Sequence, residues 1–223
     1  MKYEVKIGNT NLYKDFGLVP TSKPIINLAS PKVSYIEVPG VQGQLEVDNG
    51  VEIIYSNREG SLEFLVSDLV KFETKYQEFL NSIHGVKNTI SIDSKYFYYG
   101  RFIVEEIKTD KNYTYVEISY ILEPFKYFKE DINSLGVKKI EKFSTDISTD
   151  NIKEIRIDEK SQMYIKPNFR VKSSSNLIVI FNNKEYKLYD GVNIVPQIKA
   201  KNSMLLKFKG RGTVEISYKR GDL

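Results

Sequence analysis

Residues 113–123 read Tyr-Thr-Tyr-Val-Glu-Ile-Ser-Tyr-Ile-Leu-Glu and alternate with a period of two. This period places Val116, Ile118, Tyr120 and Leu122 on one face of a β-strand, because successive side chains of a strand point to opposite sides. Residues 96–108 form a second predicted strand, and residues 109–112 join the two as a hairpin. The abundance of Tyr, Phe, Ile and Val favours strands elsewhere too. The sequence therefore predicts a mainly β protein.

One segment has helical spacing instead. From Leu69 to Ile83 the apolar residues recur at intervals of three and four, with Lys and Glu between them. Ser67 or Asp68 can cap its start, and Gly85 can end it. We expect one amphipathic helix packed on a sheet.

Further strands are predicted in both halves of the chain. In the first half they cover residues 2–7, 34–38, 51–55, 61–66 and 89–93. In the second half, a turn at Asn182-Asn183 is predicted to join a strand at residues 177–181 to one at 185–189. A turn at Asp190-Gly191 is predicted to join that strand to one at residues 192–195. Gly210-Arg211-Gly212 is predicted to form a turn that joins a strand at residues 203–209 to one at 213–219. Short strands at this spacing indicate a small antiparallel sandwich.

The chain has 223 residues, enough for two small domains. A change in composition near residues 128–135 predicts domains at 1–128 and 129–223. Residues 1–130 carry a net charge of −3 and residues 131–223 one of +7. This asymmetry is explained by two differently charged solvated faces, or by a basic surface that meets an acidic partner. No basic helix or stacking platform points to specific nucleic-acid binding.

The sequence offers no recognisable catalytic machinery. It contains no cysteine and a single histidine, His84, at the predicted end of the helix. Phosphate-binding glycine motifs and Gly-x-Ser-x-Gly are absent. Arg220-Gly221-Asp222 spells an integrin-binding tripeptide, which we interpret as coincidence. We expect a protein that is not an enzyme and needs no metal or cofactor.

No apolar run is long enough to span a bilayer, and the N-terminus does not resemble a signal peptide. We therefore expect synthesis in the cytoplasm and no membrane insertion.

Four short segments carry a family resemblance. They are Phe16-Gly17-Leu18, Glu37-Val38-Pro39-Gly40 with Gly43 and Leu45, Tyr55-Ser56-Asn57-Arg58, and Pro124-Phe125-Lys126-Tyr127; Tyr99-Gly100-Arg101-Phe102 joins them. In this order they resemble the distal tail proteins of bacteriophages with long, non-contractile tails, over residues 1–128.

The resemblance implies two β-sandwich domains, the first with a helix and an extended arm and the second galectin-like. It also implies a virion protein that assembles as a hexameric ring and joins the tail tube to the baseplate or tip. The implied partners are further copies of the chain, the tail tube and tail-tip proteins.

The resemblance also implies where assembly would take place. Residues 38–50 resemble the arm of the family, and we expect Val38, Pro39, Gly40, Gly43 and Leu45 to contact a neighbouring subunit. The alternative is an ordinary intramolecular turn. A second hypothesis is that the C-terminal domain binds a host-surface glycan, with Tyr186 and Tyr189 as stacking residues.

Overall fold

The computed structural model describes residues 3–47, 53–92, 95–110, 113–129, 137–139, 143–146, 152–159 and 161–223. The chain divides into two compact units, residues 1–126 together with 223, and residues 127–222.

The first unit is built on an antiparallel sheet. Its strands follow the order β2-β1-β7-β8-β9-β6-β3, and a separate two-stranded sheet pairs β4 with β5. Up to residue 128 the described strands are β1 (Lys6–Ile7), β2 (Thr10–Asn11), β3 (Leu18–Pro20), β4 (Ser34–Glu37), β5 (Gln44–Val47), β6 (Arg58–Val66), β7 (Lys87–Ser91), β8 (Tyr96–Asp110), β9 (Tyr113–Leu122) and β10 (Lys126–Phe128).

The hairpin of β8 and β9 and the face predicted for it are confirmed. Phe64 of β6 lies opposite Val116 of β9, and both are fully buried. The apolar core of the unit forms on this face, together with Ile118, Tyr120 and Leu122. Residues 111–112 of the predicted turn and residue 93 of the predicted strand 89–93 lie outside the described residues.

The predicted helix is present but divided. Helix α1 (Leu12–Phe16) precedes it, and the segment itself forms α2 (Leu69–Thr74) and α3 (Tyr76–Ile83). The break falls at Lys75, which leaves helical geometry with φ −104° and ψ 12°. Asp68 caps the start, because its Oδ1 accepts a hydrogen bond from the Lys71 N–H at 3.0 Å. A single continuous helix was therefore the wrong prediction, although its capping residue was right.

Two predictions in the first unit are corrected. In the segment 51–55, residues 53–54 form no strand, and Tyr55 makes an isolated bridge with Pro31, which has no N–H to extend a ladder. Residues 51–52 lie outside the described residues. The strand predicted at 2–7 is reduced at its start to Lys6–Ile7, and Gly8 turns the chain directly after it with φ +60°. Residue 2 also lies outside the described residues.

The second unit is organised around two long, bent strands that pair with each other. The strands described here are β11 (Val137–Lys139), β12 (Phe143–Asp146), β13 (Lys153–Asp158), β14 (Asn168–Phe181), β15 (Lys184–Lys187), β16 (Gly191–Ile194), β17 (Ser203–Lys219) and β18 (Gly221–Asp222). β14 pairs with β17, β11 to β13 follow one another along the outer edge of β17, and β15 and β16 follow one another along the outer edge of β14.

Two predicted hairpins are wrong in this unit. Asp190-Gly191 does not pair the strands on either side of it, because β15 and β16 both pair with β14. Gly210-Arg211-Gly212 does not reverse the chain either, since β17 runs through it as one strand. The turn at Asn182-Asn183 is confirmed, with φ of 48° and 61°.

The core of the second unit contains Phe169, Val179, Phe208 and Ile216, all fully buried. The mainly β, sandwich-like fold predicted from the sequence is thus confirmed. Residues 130–135, most of the region in which the domain boundary was predicted (128–135), lie outside the described residues.

Candidate assembly surface

The hairpin of β4 and β5 exposes large apolar side chains. Ile36 lies opposite Leu45, and Tyr35 lies opposite Glu46. Paired residues of an antiparallel ladder share a face, so the hairpin has two distinct sides. We call the segment 31–47, which contains this hairpin, the arm.

One side of the arm is apolar and faces solvent. It carries Ile36 and Leu45, which are 52% and 60% exposed, and the half-buried Val47 opposite Ser34. The opposite side carries Tyr35, Glu37, Gln44 and Glu46. A two-stranded hairpin has little stability alone in water. An apolar face of this kind is expected to be covered by another surface.

The tip of the arm follows the sequence prediction. The N–H of Val41 donates to the carbonyl oxygen of Val38 at 3.1 Å. Pro39 and Gly40 occupy the central positions, and Gly40 has φ +85°. Pro followed by a residue with positive φ is the signature of a type II turn. Gly43 also has a positive φ, +88°.

The five predicted assembly residues are therefore brought together in one place. Val38, Pro39, Gly40, Gly43 and Leu45 all lie on the tip or the strands of the arm and are exposed. A Cβ atom added at Gly40 or Gly43 would meet nothing within 4 Å. Residues 48–50 of the predicted arm lie outside the described residues.

The root of the arm is fixed by a buried arginine, whose role was not apparent from the sequence. Arg58 is 1% exposed. Its Nε donates to the carbonyl oxygen of Pro124 and its Nη1 to that of Asn27, each at 2.8 Å. Its guanidinium carbon lies 5.2 Å from the ring centroid of Tyr98. Burial lowers the pKa of Arg58, because a charge removed from water is disfavoured.

A second exposed apolar surface lies on α2 and the start of α3. Leu69, Val70 and Tyr76 are exposed there, Val70 to 76%. Next to them is a groove of about 430 Å³, whose walls include Phe72 and Ile107. We call Leu69, Val70, Tyr76 and this groove the helix patch. The helical periodicity identified Leu69 and Tyr76 but not Val70, and it predicted a face packed on the sheet.

The two tyrosines predicted to contact glycan differ in their surroundings. Tyr186 is half-buried and packs against the core of the second unit. Tyr189 is 62% exposed, and Lys187 Nζ lies 5.6 Å from its ring centroid.

The tripeptide Arg220-Gly221-Asp222 is part of the fold. The Arg220 Nη1 donates to Glu159 Oε2 at 2.8 Å, and Gly221 is buried in β18.

Among the described residues, no group of three or more His, Asp or Glu side chains gathers in a way that would hold a metal ion. The Nδ1 of His84 accepts the N–H of Val104 at 3.2 Å, and the side chain is exposed. No described helix is both long and apolar enough to cross a membrane.

Comparison with known proteins gives a match of fold. No family model matches the chain, and no curated protein does. Among solved structures the chain is similar to SPP1 Dit, described as a paradigm of the hub adsorption apparatus in phages that infect Gram-positive bacteria. The match covers 98% of this chain and 99% of that one, with a TM-score of 0.61 and 11% sequence identity. The resemblance to distal tail proteins is thereby confirmed as a likeness of fold.

Proposed function

We propose that this chain is a structural subunit of a phage or prophage tail, and that six copies form a ring linking the tail tube to the baseplate or tip. The observation that carries the proposal is the likeness of fold to SPP1 Dit over nearly the whole of both chains. A ring subunit needs complementary surfaces and no catalysis. Residues 1–128 would form the ring, and residues 129–223 would be the C-terminal domain.

The arm is the proposed donor surface of this ring. A cyclic assembly joins two different surfaces of each copy, so a projecting element must meet a matching surface on its neighbour. The apolar face of the arm is such an element, because Ile36 and Leu45 are exposed on it. Its burial would release about 25 cal/mol per Å² of apolar area.

The helix patch is the proposed receiving surface. It combines exposed Leu69, Val70 and Tyr76 with a groove able to take apolar side chains. The arm carries Glu37, Glu46 and one cation, Lys32. Lys75 and Lys108 lie on or beside the elements of the patch, but they pair with Glu78 and Glu106. The proposed contact therefore depends on apolar burial.

Light scattering behind size exclusion tests this proposal. We expect a species of about 155 kDa, six times the chain mass of 25.8 kDa, and a six-fold ring in negative stain. The double variant Ile36→Ser with Leu45→Ser should lose the ring. Its matched control, Tyr35→Ser with Gln44→Ser, changes the opposite face and should keep it.

The receiving surface has a separate test. Val70→Glu places a charge on the helix patch and should reduce the assembled fraction without lowering the melting temperature. Val192→Glu is the control, since Val192 is similarly exposed in the second unit. A chain that stays monomeric at every concentration, and that does not enter a ring with tail proteins added, would contradict the proposal.

Glycan binding by the second unit is the alternative, and the exposed ring of Tyr189 favours it. The test is a neutral glycan array with the Tyr189→Ala variant. Tyr186→Ala is a poorer probe, because its ring packs against the core and its loss would disturb the fold.

A further inference from the structure

We propose that residues 164–166 and 199–201 of the second unit form a binding platform for a polyanion, a polymer with phosphate or carboxylate groups along its chain. We call Tyr164, Lys166, Lys199 and Lys201 the lysine platform. This inference goes beyond the tail role and does not depend on the oligomeric state.

An isolated β-bridge builds the platform. Ile165 and Ala200 exchange both backbone hydrogen bonds, at 2.9 and 3.2 Å. Ile165 is fully buried, and Ala200 packs against the core. The residues on either side of a bridge point the opposite way. Tyr164 and Lys166 on one segment, and Lys199 and Lys201 on the other, therefore share the outward side.

The tyrosine ring holds two of the cations close together. The Nζ atoms of Lys199 and Lys201 lie 5.2 and 5.0 Å from the ring centroid of Tyr164. They are separated by no more than the sum of these distances, which is close to the Debye length of about 10 Å at 0.1 M ionic strength. Their fields consequently add, and a bound anion relieves their repulsion.

Some cations of the same unit form ion pairs, and two of the platform lysines form none. Lys207 pairs with Glu154 at 2.7 Å, and Arg156 pairs with Asp158 at 2.8 Å. Lys166 and Lys201 form no ion pair with any acid in the part of the chain that the structure describes. Residues 131–223 also carry the excess of positive charge, +7. The lysine platform is a place where part of that excess is concentrated.

The open form of the platform favours a polymer over a single small ion. Lys166 and Lys201 are exposed, and ammonium groups act as point charges without the fixed fork of arginine. A small anion on such a surface competes poorly with water. A polymer contacts several lysines at once and releases its condensed counterions, so its affinity rises as salt is lowered.

Titration calorimetry of the full chain with two polymers tests the proposal. Inorganic polyphosphate supplies phosphate groups, polygalacturonate supplies carboxylates, and neutral dextran is the negative control. We expect at least one polyanion to bind, with an affinity that falls steeply between 50 and 300 mM salt. The polymer that binds more tightly identifies the group that the platform recognises.

A charge-matched pair of variants locates the site. The triple variant Lys166→Gln, Lys199→Gln and Lys201→Gln should weaken binding about tenfold or more. The triple variant Lys172→Gln, Lys184→Gln and Lys209→Gln removes the same charge from β14, β15 and β17, and should weaken it less than about threefold. Melting curves of both triple variants control for folding. The single variant Lys201→Glu tests the platform with only one substitution.

Three results would overturn the proposal. They are no binding of either polyanion at 50 mM salt, an equal loss in both triple variants, or dextran binding as tight as that of the polyanions. The second would show that net charge is responsible, and the third that charge is not what the surface recognises.

Discussion

Arg58 and Asn27 are joined by a hydrogen bond of 2.8 Å from the Arg58 Nη1 to the Asn27 carbonyl oxygen. Asn27 is held on its other sides too: its N–H donates to the Tyr120 hydroxyl at 3.0 Å, and its Nδ2 donates to the Glu59 carbonyl oxygen at 2.7 Å. The chain that leads into the arm thus starts from a fixed point on the sheet of the first unit. These bonds anchor the chain shortly before the arm begins.

Arg58→Lys tests the importance of this root. A lysine keeps the charge but cannot donate to both carbonyl oxygens in a fixed planar geometry. Two charge-assisted bonds within a buried site are lost or weakened, so we expect the free energy of unfolding to fall by about 2–4 kcal/mol. Urea unfolding measures this, and limited proteolysis should show earlier cleavage within the arm.

The control for Arg58→Lys is Arg170→Lys, which makes the same exchange at an exposed position of β14. It should change stability by less than about 0.5 kcal/mol. An effect of Arg58→Lys as small as that of the control would show that the buried guanidinium does not fix the root.

Asp190 gives a prediction about pH. Its carboxylate accepts the N–H of Ser174 at 2.8 Å, and this backbone hydrogen bond lowers the pKa of Asp190. A carboxyl group with a lowered pKa in the folded state stabilises the fold when it is ionised. The contribution is therefore complete above the ordinary carboxyl pKa of about 3.9 and is lost as the pH falls through the lower folded value.

Melting curves of Asp190→Asn between pH 2 and pH 7 check this. The variant should melt below the wild type at pH 7, and the two curves should converge near pH 2. Asp222→Asn removes the same charge at another place in the second unit and is the control. A difference between wild type and Asp190→Asn that does not depend on pH would contradict the assignment.

The alternation of side chains predicted the central strands correctly, because a strand buried on one face has apolar residues at every second position of its sequence. Val116, Ile118, Tyr120 and Leu122 are all buried as expected. The tip of the arm was predictable for a similar reason, since Pro39-Gly40 encodes its own turn. These features depend on residues that are neighbours in the sequence.

Features that depend on distant partners were not predictable in this way. Arg58 was noticed within a short motif, but its partners Asn27 and Pro124 lie 31 and 66 residues away along the chain. Asp190-Gly191 and Gly210-Arg211-Gly212 are turn signals, yet they lie between collinear strands or inside one. Whether such a turn sequence reverses the chain or only bends it depends on how far the partner strand continues. Here β14 continues past Asp190-Gly191 and past Gly210-Arg211-Gly212, and it pairs with the residues on both sides of each.

The tip of the arm offers a prediction that separates assembly from stability. Gly40→Ala places a Cβ on a residue with φ +85°, which costs about 1–2 kcal/mol. The arm hairpin forms its own sheet, so the global unfolding midpoint should stay unchanged. The assembled fraction in light scattering should fall, since the proposed donor surface loses its geometry.

Gly85→Ala is the matched control for the arm. Gly85 has a similar φ of +73° and open space around its Cα, but it follows α3. It should lower the unfolding midpoint and leave the assembled fraction of folded protein unchanged. If Gly40→Ala instead destabilises the whole unit and leaves assembly intact, the arm is an ordinary intramolecular turn.

Gly210 and Gly191 provide a direct test of the bent strand β17. Their φ angles are almost equal, +105° and +106°, so an added side chain meets the same backbone strain at both. A Cβ at Gly210 would lie 2.1 Å from the Asn176 carbonyl oxygen, whereas one at Gly191 would meet nothing within 4 Å. The two substitutions therefore differ in whether the added Cβ meets neighbouring atoms, and not in the backbone angle φ.

We expect Gly191→Ala to cost about 1–2 kcal/mol in the free energy of unfolding, and Gly210→Ala about 2 kcal/mol more, as measured by urea unfolding. The extra cost arises because a Cβ at Gly210 forces β17 away from β14 where both strands bend. In a hairpin that turned at Gly210-Arg211-Gly212, the tip would face solvent, and both substitutions would cost about the same. Equal costs would therefore favour the hairpin over the continuous strand.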